Sequence, residues 1–501
     1  MSLRIVLASS EVAPFSKTGG LADVSAALPK ALARAGHHVT IICPYYPQEH
    51  RRRLPDEAPP VPTGYEFRIP IADRLIKGSI LRSQLPDTNV PVYFVHQPHY
   101  YDREGLYQQG ECDYHDNAER FIFFSRSVLE VIRILGLTPD VVHANDWQTG
   151  LIPALIKIER HLHPELERAA SVFTIHNLAF QGQFWHWDMI LTGIDWKHFN
   201  WREMEFYGHL NLLKTGIVYA DMITTVSPTY AREIQTPQYG CGLHSVLVSR
   251  RDDLVGILNG VDTEVWNPAT DPWIATPYRS ETAVSGKAQC KQALQQELHL
   301  PLRPCPLYAM VSRLTEQKGV DLICETAADF LRLDLQLVIL GSGDPHYQQQ
   351  LRQLADSAPE KFVLALKYDE AMAHRIEAGA DIFLMPSRYE PCGLNQMYSL
   401  IYGTLPIVRA TGGLADSVVD ATEVTIANGT ANGFSFYDYS PPAFYRQICR
   451  AYGLYHDRRT WQQLMRTGME RDWSWQRSAA EYVNVYQAAL RKRRLEMTLQ
   501  G

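Results

Sequence analysis

Short apolar runs that do not alternate with polar residues, each leading into a polar loop and then a helix-spaced segment, recur along this 501-residue chain. Ala380–Pro386 (Ala-Asp-Ile-Phe-Leu-Met-Pro) is the plainest of them. A strand apolar on both faces is buried on both faces, as in a parallel sheet covered by helices. In the first half, Leu3–Ala8, Val39–Cys43, Val141–His143, Ser171–Ile175 and Met222–Val226 read as such strands. Ala22–Ala35 and Asn117–Leu135 read as helices, and Tyr65–Ile71, Gly78–Gln84 and Val90–Val95 as an inserted set of strands. The second half repeats the alternation. Strands are predicted at Leu307–Val311, Leu335–Leu340, Phe362–Leu366, Asp381–Met385 and Leu405–Val408, with a helix at Gly319–Leu331. Helices follow at Pro442–Tyr455, Trp461–Met469 and Ser474–Lys492. The pattern predicts an α/β chain of doubly wound sheets. A polar, proline-containing stretch after Leu258 divides the halves, giving domains at 1–258 and 259–472 and a terminal helix in 473–501. That helix is amphipathic and aromatic-rich (Trp475, Tyr482, Tyr486), so it is predicted to pack on a domain.

Composition narrows the function classes. A hydrophobic content of 46% and a charged content of 21% are those of a globular protein. The net charge of −7, with no long run of one sign, argues against nucleic acid as a partner. Eight scattered cysteines form no Cys-x-x-Cys pair, and no zinc-ligand set is visible. Reduced thiols, a first strand that begins by Leu3 and the lack of any apolar stretch of spanning length predict a cytoplasmic protein without membrane partners. The close pairs His96–His99 and His161–His163 lack Cys or Asp companions and read as ordinary polar residues.

Ligands bind at the carboxyl ends of strands in open α/β sheets, so the loops there carry the chemistry. Arg388–Leu394 (Arg-Tyr-Glu-Pro-Cys-Gly-Leu) follows the Ala380–Pro386 run and precedes a helix expected at Asn395–Gly403. The N–H groups of Cys392, Gly393 and Leu394 would open that helix, where an anion is favoured. Glu390 just ahead of them has two readings. It binds sugar hydroxyls of a ligand that is also anionic, or it is a carboxylate complementing the helix dipole. Arg388 is either a further cation of the site or a partner for Glu390. Arg313 and Lys318, in the loop after Leu307–Val311, are a fork and a point charge at a spacing that suits a pyrophosphate. Gly341 and Gly343 follow the next strand. Thr411, Gly412 and Gly413 begin Thr-Gly-Gly-Leu-Ala-Asp, and the same six residues stand at Thr18, Gly19, Gly20, Leu21, Ala22 and Asp23. Each half therefore has a phosphate-type or sugar-type loop running into a helix. Asp146 and Trp147 pair a hydroxyl-binding carboxylate with an aromatic platform that suits a sugar, unless the indole packs under its loop. His176 reads as a polar contact to substrate. No Walker loop, Gly-x-Gly-x-x-Gly or acidic metal pair is present, so no cofactor and no metal is expected.

Together these segments resemble the glycogen synthases of bacteria and the starch synthases of plants. The resemblance is carried by Lys17–Val24, Val142–Gly150, Phe173–Gly182, Val311–Gly319, Pro386–Leu394 and Gly403–Val418, and it extends over roughly residues 3 to 490. It implies the GT-B architecture, two Rossmann-like domains facing across a deep cleft, with the terminal helix crossing back onto the first. It implies glucose transfer from ADP-glucose to the non-reducing end of an α-1,4-glucan (glycogen, starch or a malto-oligosaccharide) with retention of configuration. A UDP-glucose-dependent synthase and a silent glucan-binding protein on the same scaffold are the alternatives. By motif, Glu390 would contact the donor glucose, Arg313 and Lys318 would hold the diphosphate, and Asp146 and His176 would hold the sugar, with Asn177 adjoining. Lys17, Gly19, Gly20 and Asp23 would lie at the phosphate and acceptor side. Tyr107 would be an aromatic near donor or acceptor, and Asn259 would sit at the hinge.

Overall fold

The computed structural model describes residues 2–110, 112–367 and 369–500. It divides into two compact units, one of Met1–Val226, Ala231–Ile257 and Trp475–Gly501, the other of Ser227–Tyr230 and Leu258–Ser474.

The first unit is built on a nine-stranded sheet. Seven strands run parallel, in the order Leu254–Gly256, Met222–Thr225, Ala170–Ile175, Val141–Asn145, Arg4–Ala8, His38–Pro44 and Pro91–His96. Arg74–Gln84 and Val61–Ile71, the inserted strands, extend it antiparallel at one edge. Chain order reverses between Arg4–Ala8 and Val141–Asn145, so the loops after these two strands splay apart and leave a crevice. Ala144 and Asn145, expected in a loop, prolong the Val141–Asn145 strand, because Asn145 stays in register with Thr174 and its amide donates to Ala8 O at 3.2 Å.

The helix Trp475–Gln500 packs in the first unit, with Tyr482 and Tyr486 wholly buried in the core formed by Leu7, Leu28 and Ile41. Tyr486 OH meets His143 Nδ1 at 3.0 Å, and Lys492 Nζ donates to Asp253 Oδ1 at 2.7 Å. Its apolar stripe is thus satisfied by tertiary packing, the usual source of stability for a helix of this kind.

The second unit holds a six-stranded sheet, parallel throughout, in the order Phe362–Ala365, Gln336–Leu340, Leu307–Val311, Ile382–Met385, Leu405–Arg409 and Phe434–Phe436. Here order reverses between Leu307–Val311 and Ile382–Met385. Helices Val320–Phe330 and Pro441–Tyr455 bury Ile323, Phe330, Phe444 and Ile448 against Leu337, Ile339 and Ile407. Both units are therefore Rossmann-like α/β layers, each with one topological switch point. Among the described residues no helix is long and apolar enough to cross a membrane.

Candidate functional site

In the first unit the crevice is walled by the loops after Ala8 and Asn145. Asp146 leaves the strand at φ +62° and ψ 177°, a backbone region populated almost only by glycine. It is held there by its N–H donating to Thr174 O at 2.9 Å and by its carboxylate accepting Trp147 N–H at 3.2 Å. Strain of this kind persists where the surroundings over-determine it, and it clusters at functional sites. Burial pushes the Asp146 carboxyl up to about 8, and the nearby charge of Glu11 adds to the effect. His176 sits two strands from Ala8, with Nε2 donating to Asn145 Oδ1 at 3.0 Å. Burial lowers its pKa to about 3, so the ring is neutral and its Nε2–H is committed to Asn145. This is a fixed polar contact rather than a base poised near neutral pH.

Glu11, which carries no motif signal, is the hub of this crevice. It is buried, and burial raises its pKa. One oxygen accepts Thr18 Oγ1 and Tyr107 OH, each at 2.7 Å; the other accepts the N–H groups of Thr18 at 2.5 Å and Gly19 at 3.3 Å. The first Gly-Gly loop thus gives two backbone N–H groups and a hydroxyl to a carboxylate of the chain itself rather than to a phosphate. The available signal was a carboxylate lying between the first strand and the Gly-Gly loop, in Ser9-Ser10-Glu11. Tyr107 also meets Ser10 Oγ at 2.7 Å and places its ring 6.4 Å from that of Trp147. Trp147 packs edge-on against Phe121 at 5.0 Å and near Phe184 at 5.7 Å, so packing, not exposure as a platform, fixes the indole. Lys17 is ion-paired to Asp23 at 2.7 Å, and Asn177 caps its own turn by accepting Ala179 N–H.

In the second unit Lys318 and Glu390 stand on the two loops that flank the switch point, joined by a 2.6 Å ion pair. Glu390 is 6% exposed, and Ser387 Oγ donates to the same oxygen at 3.1 Å. The pairing of Glu390 is with Lys318; Arg388 turns away to Glu316 at 2.8 Å and stacks over Tyr439. The turn from strand to Glu390 leaves the Arg388 backbone facing Gln317, whose carbonyl accepts Arg388 N–H at 2.8 Å, and this aims the guanidinium outward. Arg313 is exposed and, among the described residues, has no ion-pair partner. The four loops interlock through their backbones. Leu314 N–H donates to Ser342 O, Gly343 bridges Leu314, and Gly413 N–H donates to Glu390 O. At Gly412 (φ +45°) a Cβ would stand 1.9 Å from Glu390 O, so no larger residue permits that approach. Gly341 has the same constraint, with Ser312 O at 1.8 Å.

The helix after Glu390 spans only Asn395–Ile401, so Cys392 and Gly393 lie ahead of it and Leu394 is its N-cap. The carbonyls of Cys392 and Gly393 accept Gln396 Nε2. Burial pushes the Cys392 thiol up to about 12, and the nearby Asn259, in the second unit, offsets part of that rise. Thr411 is fully buried behind Gly412. The structure thus gathers Lys17, Gly19, Gly20, Asp23, Tyr107, Asp146, Trp147, His176 and Asn177 around the first switch point. It gathers Asn259, Arg313, Lys318, Gly341, Gly343, Glu390, Cys392, Gly393, Leu394, Thr411, Gly412 and Gly413 around the second.

Known proteins match this chain over most of its length. The family model described as starch synthase catalytic domain matches residues 4–249, and that described as glycosyl transferases group 1 matches residues 301–463. Glycogen synthase of Anaeromyxobacter sp. is 48% identical, with 97% of this chain and 99% of the relative covered. That of Rhodopirellula baltica is 45% identical, with 97% of each covered. The solved catalytic domain of starch synthase IV from Arabidopsis thaliana, bound to ADP and acarbose, superposes with a TM-score of 0.87 at 34% identity, over 98% of this chain and 100% of that one. Sucrose-phosphate synthase from Thermosynechococcus elongatus, at 16% identity and a TM-score of 0.55, shares the fold alone. The chain belongs to the glycogen synthase and starch synthase family and is a glycosyltransferase of GT-B fold.

Proposed function

We propose that the chain elongates an α-1,4-glucan at its non-reducing end with glucose from ADP-glucose, with retention of configuration. The observation that carries this reading is the Lys318–Glu390 pair across the second switch point, with the unpaired Arg313 in the same loop as Lys318. When the bond between the anomeric carbon and phosphate breaks, negative charge grows on the departing diphosphate. Arg313 and Lys318 meet that charge, an interaction stronger in the transition state than in the ground state. Positive charge grows on the sugar ring, and Glu390, its carboxylate already fixed by Lys318 and Ser387, faces it. In the first unit Asp146 and His176 are suited to sugar hydroxyls, Asp146 as a neutral acid able to donate as well as accept. The relatives named glycogen synthase and the starch synthase solved with ADP support both the polymer and the base. Two cations suffice for the leaving group, so turnover needs no metal. The enzyme works in the cytoplasm, where its free cysteines stay reduced.

The test is release of nucleoside diphosphate with added glycogen, from ADP-glucose and UDP-glucose in parallel, with and without EDTA. ADP-glucose is expected to be used far better, and EDTA to change nothing. A specificity ratio near one, or activity restored by Mg²⁺ after chelation, overturns the respective statement.

A further inference from the structure

Residues 183–211 carry a second concentration of aromatic side chains, outside the crevice. Gln183–Trp185, His209–Asn211 and Glu205–Phe206 form a small antiparallel sheet. Its register pairs Phe184 with Leu210, and Trp185 and Phe206 each with His209. Directly paired residues share a face, and neighbours along a strand point to opposite faces. Phe184 and Leu210 therefore form the inner face; Leu210 is fully buried, and Phe184 lies against Trp147 of the crevice. Trp185 and His209 are on the outer face, where Trp185 is 61% exposed. The aromatic row continues from Trp185 to Trp187, ring centres 6.4 Å apart, and from Trp187 to Trp196 at 5.5 Å. Trp187 is 52% and Trp196 41% exposed.

Three indoles in a contiguous row at the surface gain little for folding, and contiguous exposed apolar patches of this kind mark binding sites. The chemistry of the patch selects the partner. Each indole adjoins hydrogen-bonding side chains, in Trp185-His186-Trp187-Asp188 and Asp195-Trp196-Lys197. The core of a protein–protein interface is depleted of charge. A sugar ring offers an apolar C–H face to an aromatic ring and a rim of hydroxyls to polar neighbours. The rings are also tilted to one another, by 64° and 72°, so no single flat partner surface stacks on all three. A curved chain of sugar rings does.

We propose that Trp185, Trp187 and Trp196 form a glucan-holding surface separate from the transfer site, on the outside of the sheet whose inner face backs Trp147. The occupant is the α-glucan polymer, and the proposal deepens the reading of the chain as a glucan elongator. The tests are retardation of the full-length protein in native gels containing glycogen, and initial rates with glycogen against maltotriose. The Trp185→Ala/Trp187→Ala double variant is expected to lose retardation and to raise KM for glycogen by about tenfold. Its kcat and KM with maltotriose stay unchanged. Trp187→Tyr keeps a platform and retains most of the retardation, which separates loss of stacking from loss of fold. Unchanged retardation in a double variant of normal melting temperature overturns the proposal. So does a concentration-dependent dimer that the double variant abolishes, since the face then belongs to a second copy. Retardation needs no turnover. A wild-type protein that is retarded through these residues yet releases no ADP from ADP-glucose refutes the donor reading and leaves this surface standing.

Discussion

Thr18–Asp23 and Thr411–Asp416 are the same six residues, and both carry the chain from a strand into a helix. In the first, Thr18, Gly19 and Gly20 are exposed, Gly19 is extended (φ −156°), and a Cβ there meets nothing within 4 Å. In the second, Thr411, Gly412 and Gly413 are buried, and Gly412 is left-handed against the carbonyl of Glu390. The aspartates differ likewise. Asp23 pairs with Lys17 beside it, whereas Asp416 accepts Thr229 N–H and Oγ1, each at 2.7 Å, and so ties Ser227–Tyr230 into the second unit. Identical sequence specifies the turn and the helix start. The neighbouring loop decides whether the glycines leave room for a ligand or for another stretch of backbone. In the second unit the room is used up, and what it secures is the position of Glu390.

The largest effect expected from breaking this contrast is at Gly412. Gly412→Ala combines left-handed strain with a Cβ driven into Glu390 O, so it is expected to cost about 3–5 kcal/mol, the top of the range for one substitution. Urea unfolding measures it. A loss under about 1 kcal/mol would mean that the two loops separate easily and that the interlock does not position Glu390.

Next come the charges that the interlock holds in place. Arg313→Ala removes a cation that supports no ion pair, so kcat is expected to fall about 10²–10³-fold with stability within about 0.5 kcal/mol of wild type. Lys318→Ala leaves the Glu390 carboxylate buried without its partner, so it loses turnover to a similar degree and melts earlier as well. Glu390→Gln keeps the shape and is expected to lower kcat steeply while the Kd for ADP changes little. Near-normal turnover of this variant, with a loss of roughly 0.3–1 kcal/mol, would reduce Glu390 to a helix-terminal carboxylate.

The architecture was legible because buried parallel strands are continuous apolar runs and their carboxyl ends are where polar loops must lie. Leu307–Val311 is observed with the bounds predicted, and the terminal helix with its aromatic face inward, extended to Gln500. The candidate site was legible where residue types suggest their own neighbours, as with Lys318 and Glu390, which stand on adjacent strand-end loops and pair. It was not legible where function lies in who faces whom. Nothing in the string distinguishes Lys318 from Arg388 as the partner of Glu390, because that depends on the Arg388–Gln317 backbone contact between residues 71 positions apart, close to the 72 that separate Lys318 and Glu390 themselves. Glu11 escaped notice for a similar reason: Tyr107 lies 96 positions from it in sequence.

A third, intermediate effect tests the crevice of the first unit. Burial holds the folded-state pKa of Asp146 near 8, above its ordinary 3.8, so folding takes up a proton and the penalty for ionisation grows as pH rises between these values. Asp146→Asn carries no such group. The stability of the variant minus that of wild type is therefore expected to increase from pH 5 to pH 7 by roughly 1 kcal/mol per unit. A difference independent of pH would mean that water reaches the carboxylate and that Asp146 meets sugar hydroxyls only as an anion. The buried histidines His143 and His176, both lowered to about 3, act in the opposite sense. Their share of stability is complete above 6.5 and is lost as pH falls below it, in variant and wild type alike, so it cancels in the difference.

The smallest effect on stability is expected at Gly19, the counterpart of Gly412. Its extended backbone suits any residue, and an added methyl points into open space, so Gly19→Ala should fold within about 0.5 kcal/mol of wild type. Its N–H continues to serve Glu11, since alanine keeps the donor. If the open surface at Gly19 is where substrate lies close to the backbone, the methyl will occupy that room, and KM for the glucan acceptor should rise several-fold with kcat mostly retained, the mark of lost ground-state binding. Measured beside Gly412→Ala, the pair separates two uses of one sequence: the second-unit variant loses its fold and the first-unit variant only its grip. A Gly19→Ala enzyme with unaltered stability and unaltered KM would show that the first loop matters through the donors it gives Glu11 and not through the space its glycines leave.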